Sequence, residues 1–246
     1  MRAVRAFCSL VIIGLLINLT AQADYLPLRA DVNTERPQIE ILEHSSDRVL
    51  FEVKLPGLDL LQEELQGERW DRIAFAGGYS DSRLGEPEIP HLTKLIAIPP
   101  NAGVRVEFEA LESHVFDNIR LMPAQERELR ELNSNLQPIQ WDMAAYAQNA
   151  LLPETDATAG EPALLRGVRV APITMNPLRY NPATGALQVV HRYRVTVHFE
   201  GSDLRNTPSR AVRPISRSWA KVMRSLIPNF DELNIEEVPM GSYLIV

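Results

Sequence analysis

Between Leu187 and Phe199 almost every second residue is apolar or aromatic. Leu187, Val189, His191, Tyr193, Val195, Val197 and Phe199 share one face, and Gln188, Arg192, Arg194, Thr196, His198 and Glu200 share the other. A period of two sustained over thirteen residues is the pleat signature of a half-buried strand and does not fit a helix. Only Val190 and His191 fall on the wrong faces. The run from Val168 to Tyr180 reads as the antiparallel partner. Asn181-Pro182-Ala183-Thr184-Gly185 reads as the turn between them, with Pro182 presetting φ and Gly185 supplying a left-handed position. A chain organised around such a hairpin is committed to antiparallel sheet with one solvated face.

Other stretches repeat the pattern. Val49, Phe51, Val53 and Leu55 alternate with polar or exposed positions until Pro56-Gly57 ends the run, and Val104, Val106 and Phe108 alternate with Arg105, Glu107 and Glu109. Gly85-Glu86-Pro87-Glu88-Ile89-Pro90 enforces an extended entry with few backbone donors, so the strand that follows, through Leu95 to Pro99, is expected at a sheet edge. The turn Asn101-Ala102-Gly103 is expected to fold that strand and the one starting at Val104 into a hairpin. Leu58, Leu61 and Leu65 have helix-like spacing, but the run up to Trp70 is short and interrupted by Gly67, leaving a loop or a strand pair equally open. The expected fold is mainly β: an antiparallel β-sandwich, jelly-roll or immunoglobulin-like, with a short C-terminal helix and a linker.

The amino terminus reads as an export signal. Arg2 and Arg5 make a basic n-region, Ala6 to Leu19 an apolar h-region too short for a membrane span of about 20 residues, and Ala21-Gln22-Ala23 a small-x-small site with cleavage between Ala23 and Asp24. Cys8, the only cysteine of the 246 residues, lies inside this signal. The exported chain therefore has no disulfide and no thiol nucleophile, and its core alone must hold it together. Without Arg2 and Arg5, 25 basic residues become 23 against 32 acidic ones, a net of −9. Such a surface disfavours nucleic acid and anionic membrane as partners.

Two later regions leave the β pattern. From Met122 to Ala163 the chain makes an irregular excursion in which residues 123–131 are strongly charged, Trp141, Met143, Ala144 and Tyr146 suffice to pin a helical turn, and residues 154–161 have the composition of a mobile loop. Long loops on a rigid sandwich are where partner contacts concentrate. After Phe199 comes a linker over residues 201–240, within which Ser218 is placed to cap a helix over 218–227 carrying Trp219, Val222, Met223 and Leu226. Tyr243-Leu244-Ile245-Val246 then has the look of a buried strand.

No catalytic motif is present: no nucleophile elbow, no His-Glu-x-x-His, no phosphate-binding glycine loop and no Cys/His metal spacing. His44, His91, His114, His191 and His198 are scattered, and His191, on an apolar face, reads as a hydrogen-bonded core or interface histidine. Glu63/Glu64 and Glu236/Glu237 are adjacent carboxylates that could in principle pair for acid-base work, but adjacent carboxylates on a surface diverge. Acidic loops at Asp81 or Asp156 have the chemistry for calcium but no ligand spacing. No cofactor is implied.

Arg166-Gly167, the run Asn176-Pro177-Leu178-Arg179-Tyr180-Asn181-Pro182-Ala183-Thr184-Gly185 with the alternating strand after it, and the Gly85 to Pro99 segment resemble the propeptide of gingipain-type (family C25) cysteine peptidases. The resemblance covers roughly residues 49–230. It implies residues 1–23 as signal, 24–200 as a propeptide β-sandwich, 201–240 as linker, and 241–246 as the first strand of a caspase-like peptidase domain whose His and Cys would lie beyond residue 246. It implies, further, a secreted chain without catalytic residues that assists folding of its cognate peptidase domain and keeps it latent, in cis or in trans. In that family a basic loop residue is expected to occupy the specificity pocket; Arg127, Arg130 and Arg166 are the candidates here, an Arg fork being suited to an acidic pocket. The plainer reading makes Arg127 and Arg130 a solvated charged face and Arg166 a strand-end residue. Arg210, Arg213 and Arg217, with Arg205 and Arg224 nearby, are candidate processing sites in a polar linker. The rival reading is a stand-alone exported adhesin or carbohydrate-binding sandwich.

Overall fold

The computed structural model describes residues 23–31, 34–126 and 138–239. Among them, a five-stranded antiparallel sheet comprises β2 (Gln38–His44), β3 (Arg48–Lys54), β7 (Gly103–Phe116), β11 (Leu178–Asn181) and β12 (Ala186–Glu200). A second sheet holds β6 (Leu92–Ala97), β8 (Ala157–Ala159), β9 (Ala163–Leu165) and β10 (Val168–Met175). A third holds β1 (Asp24–Pro27), β4 (Gly57–Leu65) and β5 (Glu68–Ala74). Apolar faces of all three enclose one core, from Phe51, Val53 and Val195 of the large sheet to Ile96, Ile173 and Met175 of the second and Leu58 and Ile73 of the third. The architecture is an antiparallel β-sandwich with a short helix near its carboxyl end.

β12 is the hub. β7 runs along one of its edges over the whole length, from Leu187 opposite Phe116 to Glu200 opposite Gly103. The other edge is shared, Ala186 to Val189 by β11 and Arg192 to His198 by β3. At the junction the His191 carbonyl accepts from Leu55 N (2.8 Å) and Val190 N donates to Pro177 O (2.7 Å). The break in the sequence alternation lies here. Across from β7 the register skips His191 on β12 and, one step later, Leu111 on β7, so that two opposite β-bulges cancel. Tyr193, Val195 and Val197 consequently stay on the core face with Leu187 and Val189. Outside, Arg192 and Arg194 converge on the buried Glu52 at 2.7 and 3.3 Å, and Arg192 also reaches Glu112 at 2.8 Å.

Several expectations change. Residues 168–180 are not one partner strand: Pro177 offers no N–H to a ladder, and the chain divides at Asn176-Pro177 so that β10 pairs with β6 while only β11 stays beside β12. β6 and β7 do not form a hairpin; they pair with β10 and β12 respectively, and the intervening turn carries the chain between layers. β6 is an edge strand, and buried Asn229 completes its backbone bonding: Asn229 Oδ1 accepts from Ala97 N (2.9 Å) and Nδ2 donates to Ala97 O (3.0 Å). Leu58 to Trp70 is the strand pair β4–β5, closed by Gln66 and Gly67 with φ of 56° and 78°, the two left-handed positions of a type I′ turn. Residues 154–161 are ordered despite their composition. β8 pairs with β10, and Arg179 donates to Pro153 O (3.2 Å) and pairs with Asp156 (3.1 Å).

Helix α1 spans Met143–Tyr146 and helix α2 Arg217–Leu226. The cap of α2 lies two residues before the expected one: Ser216, not Ser218, accepts from Trp219 N (3.4 Å) while still in extended conformation. Ala220 and Met223, with Ile227 and Phe230 beyond the helix, pack on Ala97, Val168 and Val170 as a second core. β13 (Ile215–Ser216) and β14 (Glu237–Val238) pair in parallel beside it. The stretch leading there is tied down by Arg169, whose side chain is only 1% exposed. It donates to Pro99 O and Ala102 O (both 2.9 Å), Asp203 O (2.7 Å) and Arg205 O (3.1 Å).

Candidate functional site

The excursion is built on a base of three chain segments. Residues 85–88 run antiparallel to residues 122–124, through Gly85 N to Ala124 O (2.9 Å), Ala124 N to Glu86 O (2.8 Å) and Glu88 N to Met122 O (2.9 Å). Gly85 also accepts from Asp142 N (2.9 Å), joining the returning arm to the same point. Its φ of +85°, with Asp142 N only 3.0 Å from where a Cβ would sit, makes glycine the fitting residue. One side chain then closes the stem. Gln125 Nε2 donates to Gln140 O (2.6 Å) and Gln125 Oε1 accepts from Gln140 N (3.1 Å), an amide acting as a strand partner.

Beneath the stem lies an aromatic box. Trp70, Trp141 and Tyr146 meet edge to face with centroids 5.4 to 6.0 Å apart, the geometry ring quadrupoles favour. The Arg120 guanidinium lies 4.1 Å from the Trp70 centroid and 5.5 Å from that of Trp141, and pairs with Glu68. Leu65, Met122 and Ile139 fill the space around the rings. Tyr146 donates to Leu121 O (2.6 Å), and burial raises its pKa, so the hydroxyl remains a neutral donor. Asp142 caps α1 by accepting from Ala144 N (2.8 Å). Trp141 and Tyr146 do pin this turn; Met143 does not, because its side chain stands in solvent.

Of the candidate inhibitory residues, Arg127 and Arg130 lie outside the described residues, in the segment 127–137 whose two flanks this stem joins. Arg166 is elsewhere. With Gly167 it forms the type I′ turn between β9 and β10 (φ 53° and 86°), and its guanidinium sits 4.0 Å from the Trp219 ring centroid. Arg210 and Arg213 are exposed along a groove of about 440 Å³ between residues 164–167 and 208–215, whereas Arg217 is the first residue of α2. Ala23 and Asp24 are exposed, Asp24 opening β1 opposite Leu60. Residues 241–246 lie outside the described residues.

Nothing else assembles into a reacting constellation among the described residues. A cleft of about 440 Å³ has His91 in its wall, 3.6 Å from Asp81 and 4.1 Å from the Tyr79 ring, with burial lowering the histidine's pKa. Asp81 itself is solvent-exposed. Glu63 and Glu237 are bound to Arg72 and Arg224, Asp156 to Arg179, and no group of three or more His, Cys, Asp or Glu has a metal-holding arrangement. His191 is the extra residue of a bulge rather than a hydrogen-bonded core histidine; its Nδ1 is 3.9 Å from Glu112. Sequence reasoning missed Gln125, Arg120, Arg169 and Asn229. Only Arg169 carried a signal, as a charge between Val168 and Val170 in an otherwise apolar run.

An antiparallel β-sandwich with an excursion clamped at its base has counterparts among solved structures. The fold matches a solved complex of Porphyromonas gingivalis RgpB pro- and mature domains with a TM-score of 0.69 at 21% identity, covering 81% of this chain and 100% of that one. It also matches a structure described as giving insight into zymogenic latency of gingipain K from the same organism (TM-score 0.60, 24% identity, 73% and 100% covered). The chain belongs to the Propeptide_C25 family, whose model matches residues 30–234. Among curated relatives from P. gingivalis, Lys-gingipain HG66 is 26% identical over 151 residues, 59% of this chain and 9% of the relative. Gingipain R2 is 22% identical over 215 residues, 85% and 29%. The chain thus spans less than a third of either. No helix among the described residues is long and apolar enough to cross a membrane.

Proposed function

We propose that this chain is the exported propeptide of a gingipain-type cysteine peptidase, which assists folding of the peptidase domain and blocks its cleft until cleavage, and that it contributes no catalytic residue. The observation that carries the reading is the stem. Gln125 and Gln140 join the two segments that flank residues 127–137 over a packed aromatic base, as presentation of a loop to a cleft requires. Arg127 or Arg130 is then the residue that enters an acidic specificity pocket. Arg166 is the weaker candidate, because its guanidinium already has a partner in Trp219. Removal of residues 1–23 and secretion belong to the same reading, as does processing at Arg210 or Arg213, which are exposed; Arg217 is held in a helix.

The test is inhibition in trans. Residues 24–246, added to the mature gingipain-type peptidase of the same organism, are expected to block it at stoichiometric ratio. Arg127→Ala or Arg130→Ala should raise the inhibition constant at least ~100-fold, the cost of truncating a central Arg anchor. Arg166→Asn should leave it unchanged. Absence of any effect of the wild-type chain on the peptidase would refute the reading.

A further inference from the structure

Three large apolar side chains that the fold leaves open to solvent belong to the base of the stem: Leu84 is 45%, Trp141 43% and Met143 72% exposed. They come from segments joined at one point. Leu84 precedes Gly85, while Trp141 and Met143 flank Asp142, whose N–H donates to Gly85 O. The base beneath them is fixed. The Trp141 ring is held edge-on by Trp70 and Tyr146, and Met143 opens a helical turn capped by Asp142. Leu84 sits where residues 85–88 begin their pairing with residues 122–124. Exposed apolar surface on an already ordered base loses little conformational freedom on association, and tryptophan is enriched among residues that anchor interfaces.

We propose that Leu84, Trp141 and Met143 form a docking patch for the gingipain-type peptidase domain, beside the residue that enters its cleft. This rests on the reading given under Proposed function. The patch is continuous with that contact, since Gln140, which closes the stem, immediately precedes Trp141. Two contacts then have different duties: the patch adds affinity without touching the cleft, and the basic residue both anchors the chain and supplies the blockade. The exposed Trp219, Val222 and Leu226 of α2 belong to a helix packed on the other core and serve as the control face.

The experiment measures Kd and residual activity separately, with residues 24–246 and the mature peptidase of the same organism. Leu84→Glu and Met143→Glu alter exposed positions and should leave the melting temperature unchanged; Trp141→Phe keeps an aromatic ring in the box. Each of the two Glu variants is expected to raise Kd roughly tenfold or more, while saturating amounts still inhibit fully. Val222→Glu should bind like wild type. Full binding and inhibition by the wild type together with unchanged Kd in both Glu variants would overturn the patch and leave the propeptide reading standing. A wild-type chain that does not bind overturns both.

Discussion

A guanidinium with five donors can replace a missing strand wherever several carbonyls converge, and Arg169 does so between residues 99–102 and 203–205. No other side chain has that reach and fork, so Arg169→Lys is not conservative. Arg169→Met leaves four carbonyls without their donor and should lower stability by about 3 kcal/mol, read from urea denaturation. The stretch it ties down should also become the first site of tryptic cleavage, at Arg205, Arg210 or Arg213. A wild-type chain cut there as fast as Arg169→Met would show that the arginine ties nothing. Asn229 does the same job on a smaller scale for the edge of β6. Such residues were illegible in sequence because their partners are backbone groups 34 to 132 positions away, and nothing local marks a carbonyl as lacking a donor.

At the scale of elements, alternation identified β3, β7 and β12 because each turns an apolar face to the core, and Gly185 closed the predicted turn with φ of +70°. Pairing was less legible. Periodicity says which face is inward but not which strand lies alongside, so the expected β6–β7 hairpin proved to be two strands in different sheets. The stem escaped notice for a related reason: Gln125 and Gln140 are ordinary polar residues whose meaning lies in meeting. The paired bulges permit a sharp expectation. Deleting His191 alone leaves Tyr193 three places after Val189 instead of four, turning Tyr193, Val195 and Val197 outward and Arg192 and Arg194 inward. That variant should not fold. Deleting Leu111 together with His191 removes both extra residues but leaves Tyr193 three places after Val189, so circular dichroism and thermal melting should again show no cooperative fold. A cooperative fold in either variant would show that this spacing does not fix which residues face the core.

Taken whole, the domain carries an acid-sensitive balance. Burial holds His91 and His191 below the ordinary histidine pKa, so between the two values the unfolded chain binds more protons than the folded one. Stability from these groups is complete above about pH 6.5 and declines as pH falls below it. A second decline follows at lower pH. The Arg192 bond depresses Glu52, and the Arg205 bond takes Asp203 to about 2, so their contributions are present above the unfolded values and lost as pH drops through the folded ones. The urea midpoint should be flat from pH 8 to 7, lower at 5.5 and lower again at 3; a rise from 7 to 5.5 would contradict this assignment. The position of β12 as hub has a further consequence, in time. Its partners β3 and β7 are made first, 132 and 70 or more residues earlier at their nearest, yet neither has a completed sheet until residues 186–200 arrive. A chain made amino terminus first therefore carries open strand edges and closes late, and any pause before residue 186 prolongs that exposure.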